Sequence, residues 1–116
     1  MRPLLYLAGP MTGLPEFNYP LFISTAQRMR RAGFMVVNPA ENGLPANAPW
    51  AAHMRRDLHA MLDCQGLALL PDWQASRGAR LEVDVAEALG MPVRTVCEWL
   101  GVAETTPQLE QSISSL

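Results

Sequence analysis

The chain has 116 residues and a formal net charge of −2, and all nine of its cationic side chains are arginine. The absence of lysine excludes Schiff-base chemistry, a lysine nucleophile and a lysine-bearing phosphate loop. A sequence pI near 5.6 argues against polymeric nucleic acid as the partner, and 49% hydrophobic with 17% charged residues is the composition of one globular domain with its own core.

In chain order, Leu4 to Ala8 is a continuous apolar run bounded by Pro3 and Gly9-Pro10, and reads as a strand buried on both faces. A proline-rich loop from Pro10 to Pro20 leads to a helix over about Leu21–Ala32. That helix has Phe22, Ala26 and Met29 on one face and Gly33 as its stop. Phe34 to Val37 reads as a second buried strand, closed by Asn38-Pro39. A second loop, Ala40 to Pro49, precedes a helix over about Trp50–Asp63. Leu67 to Leu70 is the third strand, and a helix over about Gly78–Leu89 follows. Pro92 to Val96 is the fourth strand, and Cys97 to Leu100 a short helical turn.

This β-α-β-α-β-α-β order with apolar strands predicts an α/β three-layer sandwich. Its sheet is parallel and flavodoxin- or Rossmann-like, with four to five strands and right-handed crossovers. The domain is expected to span residues 1–103, with a polar tail over 104–116. Ligands of such sheets bind beyond the carboxyl ends of the strands, where strand order reverses. The segments of interest are therefore Gly9 to Gly13, Asn38 to Gly43, Asp72 to Gly78 and the chain after Val96.

The N-terminal apolar run is broken too early by Pro10 and Gly13 for a signal peptide, and no apolar stretch approaches the ~20 residues that span a bilayer. No membrane partner and a cytoplasmic location are expected. Cys64 and Cys97 read as two semi-buried thiols of a reducing compartment, without a metal-ligand pattern.

The third helix carries the strongest chemical signal. At about 100° per residue, Leu81, Val85, Ala88 and Leu89 fall on one side, and Arg80, Asp84 and Glu87 on the other, spaced to pair. Glu82 falls inside the apolar arc. A carboxylate there is costly unless it is paired or lines a cavity, and the start of the helix favours its ionised form. Ser76-Arg77-Gly78 before it offers a hydroxyl, a guanidinium and free amides to an anion; as an ordinary feature, Ser76 is an N-cap. Asp57 sits at the edge of the Met54/Leu58/Met61 face, and by itself reads as a salt-bridged surface aspartate. Together with Glu82 it would supply the two carboxylates that glycosidic chemistry uses. Tyr6, in an otherwise aliphatic strand, needs a hydroxyl partner, which a glutamate or the backbone would provide. Trp50 and Trp73 either stack on a flat base or cap the core, and His53 and His59 read as solvated.

The stretches Tyr6-Leu7-Ala8-Gly9-Pro10-Met11-Thr12-Gly13, Asn38-Pro39-Ala40-Glu41, Arg56-Asp57-Leu58 and Ser76-Arg77-Gly78-Ala79-Arg80-Leu81-Glu82-Val83 resemble the nucleoside 2-deoxyribosyltransferase superfamily. They resemble above all its small phage and bacterial branch known only as a domain of unknown function (4406-like), and also the 2-deoxynucleoside 5-monophosphate N-glycosidases. The resemblance implies that Glu82 is the nucleophile at the anomeric carbon, that Tyr6 holds it, and that Asp57 assists the sugar or the proton of the base. It implies substrate contacts from Ala8, Gly9, Pro10 and Met11, from Asn38 and Pro39, and from Ser76, Arg77 and Gly78.

A serine six residues before the nucleophile favours a nucleotide. The arginine that the nucleotide hydrolases carry in the first loop is missing here, which leaves Arg77 for a phosphate. The activity implied is cleavage of the N-glycosidic bond of a deoxynucleoside or deoxynucleotide, with transfer to another base or to water and no cofactor. The alternative is a non-catalytic nucleotide-binding or sensor module. Relatives complete their pockets from a neighbouring subunit, so a homodimer or higher homo-oligomer is expected, with the tail at its interface.

Overall fold

The computed structural model describes residues 2–102; the tail over 104–116, expected at an interface, lies outside them. Four strands alternate with four helices: β1 (Leu4–Ala8), α1 (Tyr19–Arg31), β2 (Met35–Val37), α2 (Trp50–Leu62), β3 (Gly66–Leu69), α3 (Arg77–Ala88), β4 (Val93–Thr95) and α4 (Val96–Leu100). Short 3-10 turns at Pro15–Asn18, Pro39–Glu41 and Trp73–Ala75 lie in the loops that leave β1, β2 and β3.

The strands form one parallel sheet in the order β2-β1-β3-β4. The chain moves outward from β1 to β2 and then returns to the other side for β3 and β4. The reversal falls between β1 and β3, so a crevice is expected beyond the ends of these two strands.

The alternation of side chains along β1 divides the core. Leu5 and Leu7 pack on one face with Phe22, Ala26 and Met29 of α1 and with Val96. Tyr6 and Ala8 pack on the other with Met61 of α2 and with Val83 and Ala86 of α3. Helices therefore cover both faces, and the fold is the α/β Rossmann-like sandwich expected from the element order.

The continuous burial expected of every strand holds for the interior pair only. On β2, an edge strand paired solely with β1, Met35 is 61% exposed, and Arg94 of β4 points to solvent. Helix α1 starts two residues earlier than expected. Pro20 lies in its first turn, where a residue without an N–H costs no hydrogen bond. The ladder expected along α3 is absent: Arg80 instead donates to the carbonyl of Gln74 at 2.8 Å. Among the described residues the one ion pair is Arg30–Glu41 at 3.1 Å.

After β4 the chain turns directly into α4. A reciprocal cap starts that helix, with Thr95 Oγ1 accepting from Glu98 N and the Glu98 carboxylate accepting from Thr95 N. Trp99 then donates to the Leu67 carbonyl at 2.7 Å and packs edge-on against Phe34. This segment supports the α1 face of the sheet and adds nothing to the cavity at the strand ends, contrary to the expectation for the chain after Val96.

Candidate active site

A cavity of about 720 Å³ opens beyond the carboxyl ends of β1 and β3. Tyr6, Asp57 and Glu82, which come from three different elements, all line it. Each is nearly closed to solvent, with Tyr6 at 0%, Glu82 at 5% and Asp57 at 7% exposure. Tyr6 donates from its hydroxyl to Glu82 Oε2 at 2.5 Å. Glu82 is buried, but not on the arc expected: α3 buries Ala79, Glu82, Val83 and Ala86, whereas Leu81 and Leu89 of the expected arc are exposed. The tyrosine in the aliphatic strand and the glutamate on this buried face explain each other.

Burial governs the electrostatics. It pushes the Glu82 carboxyl up to about 8, against the Tyr6 hydrogen bond, which lowers it, and with the Asp57 charge, which raises it further. The expected help from the helix dipole does not decide the matter. Glu82 is the sixth residue of α3, beyond the first turn in which that effect is felt. Tyr6 is held well above its ordinary range, first by burial and then by Glu82 and Asp57, so its hydroxyl keeps its proton and acts as a donor. Asp57 is also raised by burial, opposed by a hydrogen bond from Asn42, by the Arg56 charge and, when both of its ring nitrogens carry a proton, by His53.

Asp57 is not the salt-bridged surface aspartate that its place on the helix wheel suggested. The loop over residues 40–49 folds against α2, and Asn42 Nδ2 donates to Asp57 Oδ1 at 3.0 Å. The same nitrogen lies 3.0 Å from His53 Nδ1, and His53 Nε2 lies 3.0 Å from the Pro45 carbonyl. His53 is therefore a half-buried part of the cavity wall and not a solvated residue, whereas His59 is exposed as expected. Asn42 was missed because Asn42-Gly43 between two prolines reads as a turn and nothing more.

The start of α3 forms another side of the cavity. Ser76 Oγ accepts from Ala79 N at 3.1 Å, so Ser76 is the N-cap of α3 while also lining the cavity. Arg77 lies with its guanidinium carbon 3.9 Å from the centre of the Trp50 ring, a cation–π stack in the cavity wall. Trp73, by contrast, packs on the core at the α2–α3 face. Gly78 lets α3 approach α2, since a Cβ there would lie 3.1 Å from Met54 Sδ. Gly9 is a packing requirement as well: a Cβ would lie 2.7 Å from Leu70 Cβ.

Gly9, Pro10, Met11, Pro39, Ser76, Arg77 and Gly78 all line the cavity; Ala8 and Asn38 do not. Ala8 is sealed in the core, and its carbonyl accepts from Leu70 N. Asn38 turns back on its own loop, accepting from Ala40 N at 3.0 Å, and its buried Nδ2 has no partner among the described residues. Composition and spacing also gave no hint of the aromatic wall made by Phe17 and Tyr19, whose ring centres are 6.0 Å apart. Phe17 reaches it through a left-handed turn of three consecutive non-glycine residues, Glu16, Phe17 and Asn18, with φ between 52° and 59°. Asn18 steadies that turn by donating to the Pro10 carbonyl at 2.9 Å.

Among the described residues no three His, Cys, Asp or Glu gather as a metal-ligand set, and no helix is long and apolar enough to cross a membrane. What the cavity presents is a buried carboxyl with a fixed hydroxyl donor, a second carboxylate, and a helix start beside a stacked guanidinium.

None of the curated proteins matches the chain. The family described as Domain of unknown function (DUF4406) matches residues 3–95, a span that holds all four strands and every cavity-lining residue named above. The chain belongs to the DUF4406 family.

Proposed function

We propose that this cavity cleaves the N-glycosidic bond of a 2′-deoxynucleoside or its 5′-monophosphate. The observation that carries the reading is the buried Glu82–Tyr6 pair, with Asp57 in the same cavity wall. Ionised Glu82 attacks the anomeric carbon as the bond to the base nitrogen breaks. The electron pair leaves with the base, which takes up a proton that Asp57 or water delivers. A covalent sugar–Glu82 ester results. Water, or the nitrogen of a second base, then attacks the same carbon, loses a proton and frees the carboxylate. Two displacements retain configuration.

Tyr6 fixes the carboxylate for attack and gives its leaving oxygen a donor. The Ser76 hydroxyl, the first amides of α3 and Arg77 suit a 5′-phosphate, with Arg77 as its cation. Phe17, Tyr19 and Trp50 give the base flat partners. In this reading the protein works as a homodimer or higher assembly. Leu62 on α2, Leu81 on α3 and Leu89 just beyond α3, all exposed, supply apolar surface for it, and a strict monomer at micromolar concentration in light scattering would count against this.

One observation favours the second reading, a nucleotide-binding module without turnover. With Glu82 near 8, only about one empty site in ten is ionised at pH 7, so the resting carboxyl is a poor nucleophile. A panel of deoxynucleosides and their monophosphates, followed by chromatography for free base and by acid quench and mass spectrometry for the ester, separates the two. Base release by the wild type and its loss in E82A support catalysis. Equal release by E82A would overturn the nucleophile, and saturable binding without release would favour the module.

A further inference from the structure

Asn42 stands outside the cavity, behind the wall that Asp57 and His53 form. Its side chain is fully committed. Nδ2 has two hydrogens, and two acceptors lie within reach: Asp57 Oδ1 and His53 Nδ1, each at 3.0 Å. Its Oδ1 accepts from Leu44 N at 2.9 Å, and its carbonyl accepts from Arg56 Nη1 at 2.7 Å. Turning the amide over would set its oxygen against the carboxylate and its NH2 against the Leu44 N–H, so only one orientation satisfies these neighbours.

The same logic fixes His53. Its Nδ1 faces an NH2 group and must accept; its Nε2 faces the Pro45 carbonyl and must carry the proton. The result is a directed chain, in which neutral His53 donates to Pro45 and Asn42 donates to both His53 and Asp57. Asp57 Oδ2 has no protein partner among the described residues, which leaves this oxygen to a ligand in the cavity.

We infer that Asn42 is a positioning residue for Asp57, and that His53, as the Nε2–H tautomer, holds the Asn42 amide in its working orientation. The inference rests on the reading of Asp57 as a group that handles the substrate or its proton. Asn42 does not line the cavity. It fixes which oxygen of Asp57 is free and, as a donor, favours the ionised carboxylate. The other groups that bear on Asp57 are Tyr6 from β1, Tyr19 from α1, Glu82 from α3, and His53 and Arg56 from its own helix. Among the described residues, Asn42 is the one whose side chain donates to it directly. Protonating His53 at Nδ1 would set an N–H against the amide donor and undo the chain.

The test uses the full chain with N42D and N42A. N42D keeps the shape and an acceptor for Leu44 N but replaces both donors with a carboxylate. Carboxyl carbon NMR, with the Asp57 signal assigned by its loss in D57N, follows the titration with or without turnover. The expected result is a rise of about one pH unit or more in the Asp57 midpoint in both variants. In base release, the limb of the pH profile that Asp57 sets should move the same way, with kcat falling roughly ten- to a hundredfold and KM changing little. Nitrogen NMR should find His53 protonated at Nε2 in the wild type.

An unmoved Asp57 midpoint in folded N42A, with a loss of thermal stability alone, would reduce Asn42 to a loop anchor and overturn the inference. A His53 proton resident on Nδ1 would overturn the tautomer. A wild type that releases no base would sink the proposed reaction but leave the NMR result standing.

Discussion

Replacing Glu82 by glutamine removes an ionisation while keeping the shape of the side chain and an oxygen for the Tyr6 hydroxyl. The carboxyl sits at about 8 in the folded chain, against an ordinary value of 4.5. The folded state therefore holds this proton more tightly than the unfolded state does. The stability that follows is fully present below pH 4.5 and is lost as pH rises through 8. The loss runs at about 1.4 kcal/mol per pH unit and totals ~5 kcal/mol across the window. That is comparable to the whole stability of many domains, so the wild type should weaken markedly toward pH 9. E82Q lacks the effect. Urea unfolding of both proteins at intervals from pH 5 to 9 isolates it, because the titrating groups outside the cavity cancel in the difference. E82Q minus wild type should rise steadily to about pH 8 and then level off. A difference that does not change with pH would refute the claim that a buried, protonated carboxyl occupies this position.

The glycine and the serine of the cavity wall should behave as structural parts too. G9A should destabilise by about 1–3 kcal/mol through contact with Leu70, and should cost less in an L70A background; equal costs in both would show that Leu70 is not the obstacle. S76A should cost about 1 kcal/mol as a lost cap, a fall of ~4–8 °C in Tm for a domain of this size, and the uncharged cap in S76N should restore it. A restored Tm without restored turnover on monophosphates would show that the hydroxyl has a second task. Of the two free thiols, the half-buried Cys97 should react with a disulfide reagent in the native protein. Cys64, buried and pushed up to about 11, should react only on unfolding; equal rates would contradict that burial.

The fold was legible because the central strands announce themselves as uninterrupted apolar runs, and because two of the long helices carry their own stop, Gly33 after α1 and Gly90 after α3. The Tyr6–Glu82 pair was legible for a related reason. Each side chain is out of place in its own element, and one partner resolves both. Asp57 was misread because a helical wheel knows only its own helix; what buries Asp57 is a loop returning over α2, and loop paths carry no period. The left-handed run Glu16–Asn18 was hidden in the same way. Left-handed turns are normally flagged by glycine, and these three residues hold the conformation without one, at roughly 1–2 kcal/mol each. The ionisation of Glu82 went the other way from expectation because the depth of burial is a tertiary quantity.

Tyr6 belongs at once to the core and to the site: its ring is sealed among Met61, Leu67 and Val83, and its hydroxyl holds Glu82. This joins two things that selection usually treats separately. A lineage that altered this part of the cavity would loosen the sheet with the same change. The tip of the loop after β1 carries less of this burden, since Phe17 lines the cavity while 39% exposed. New ligand preferences on this scaffold should therefore arise by exchanging loops around an unchanged tyrosine–glutamate pair.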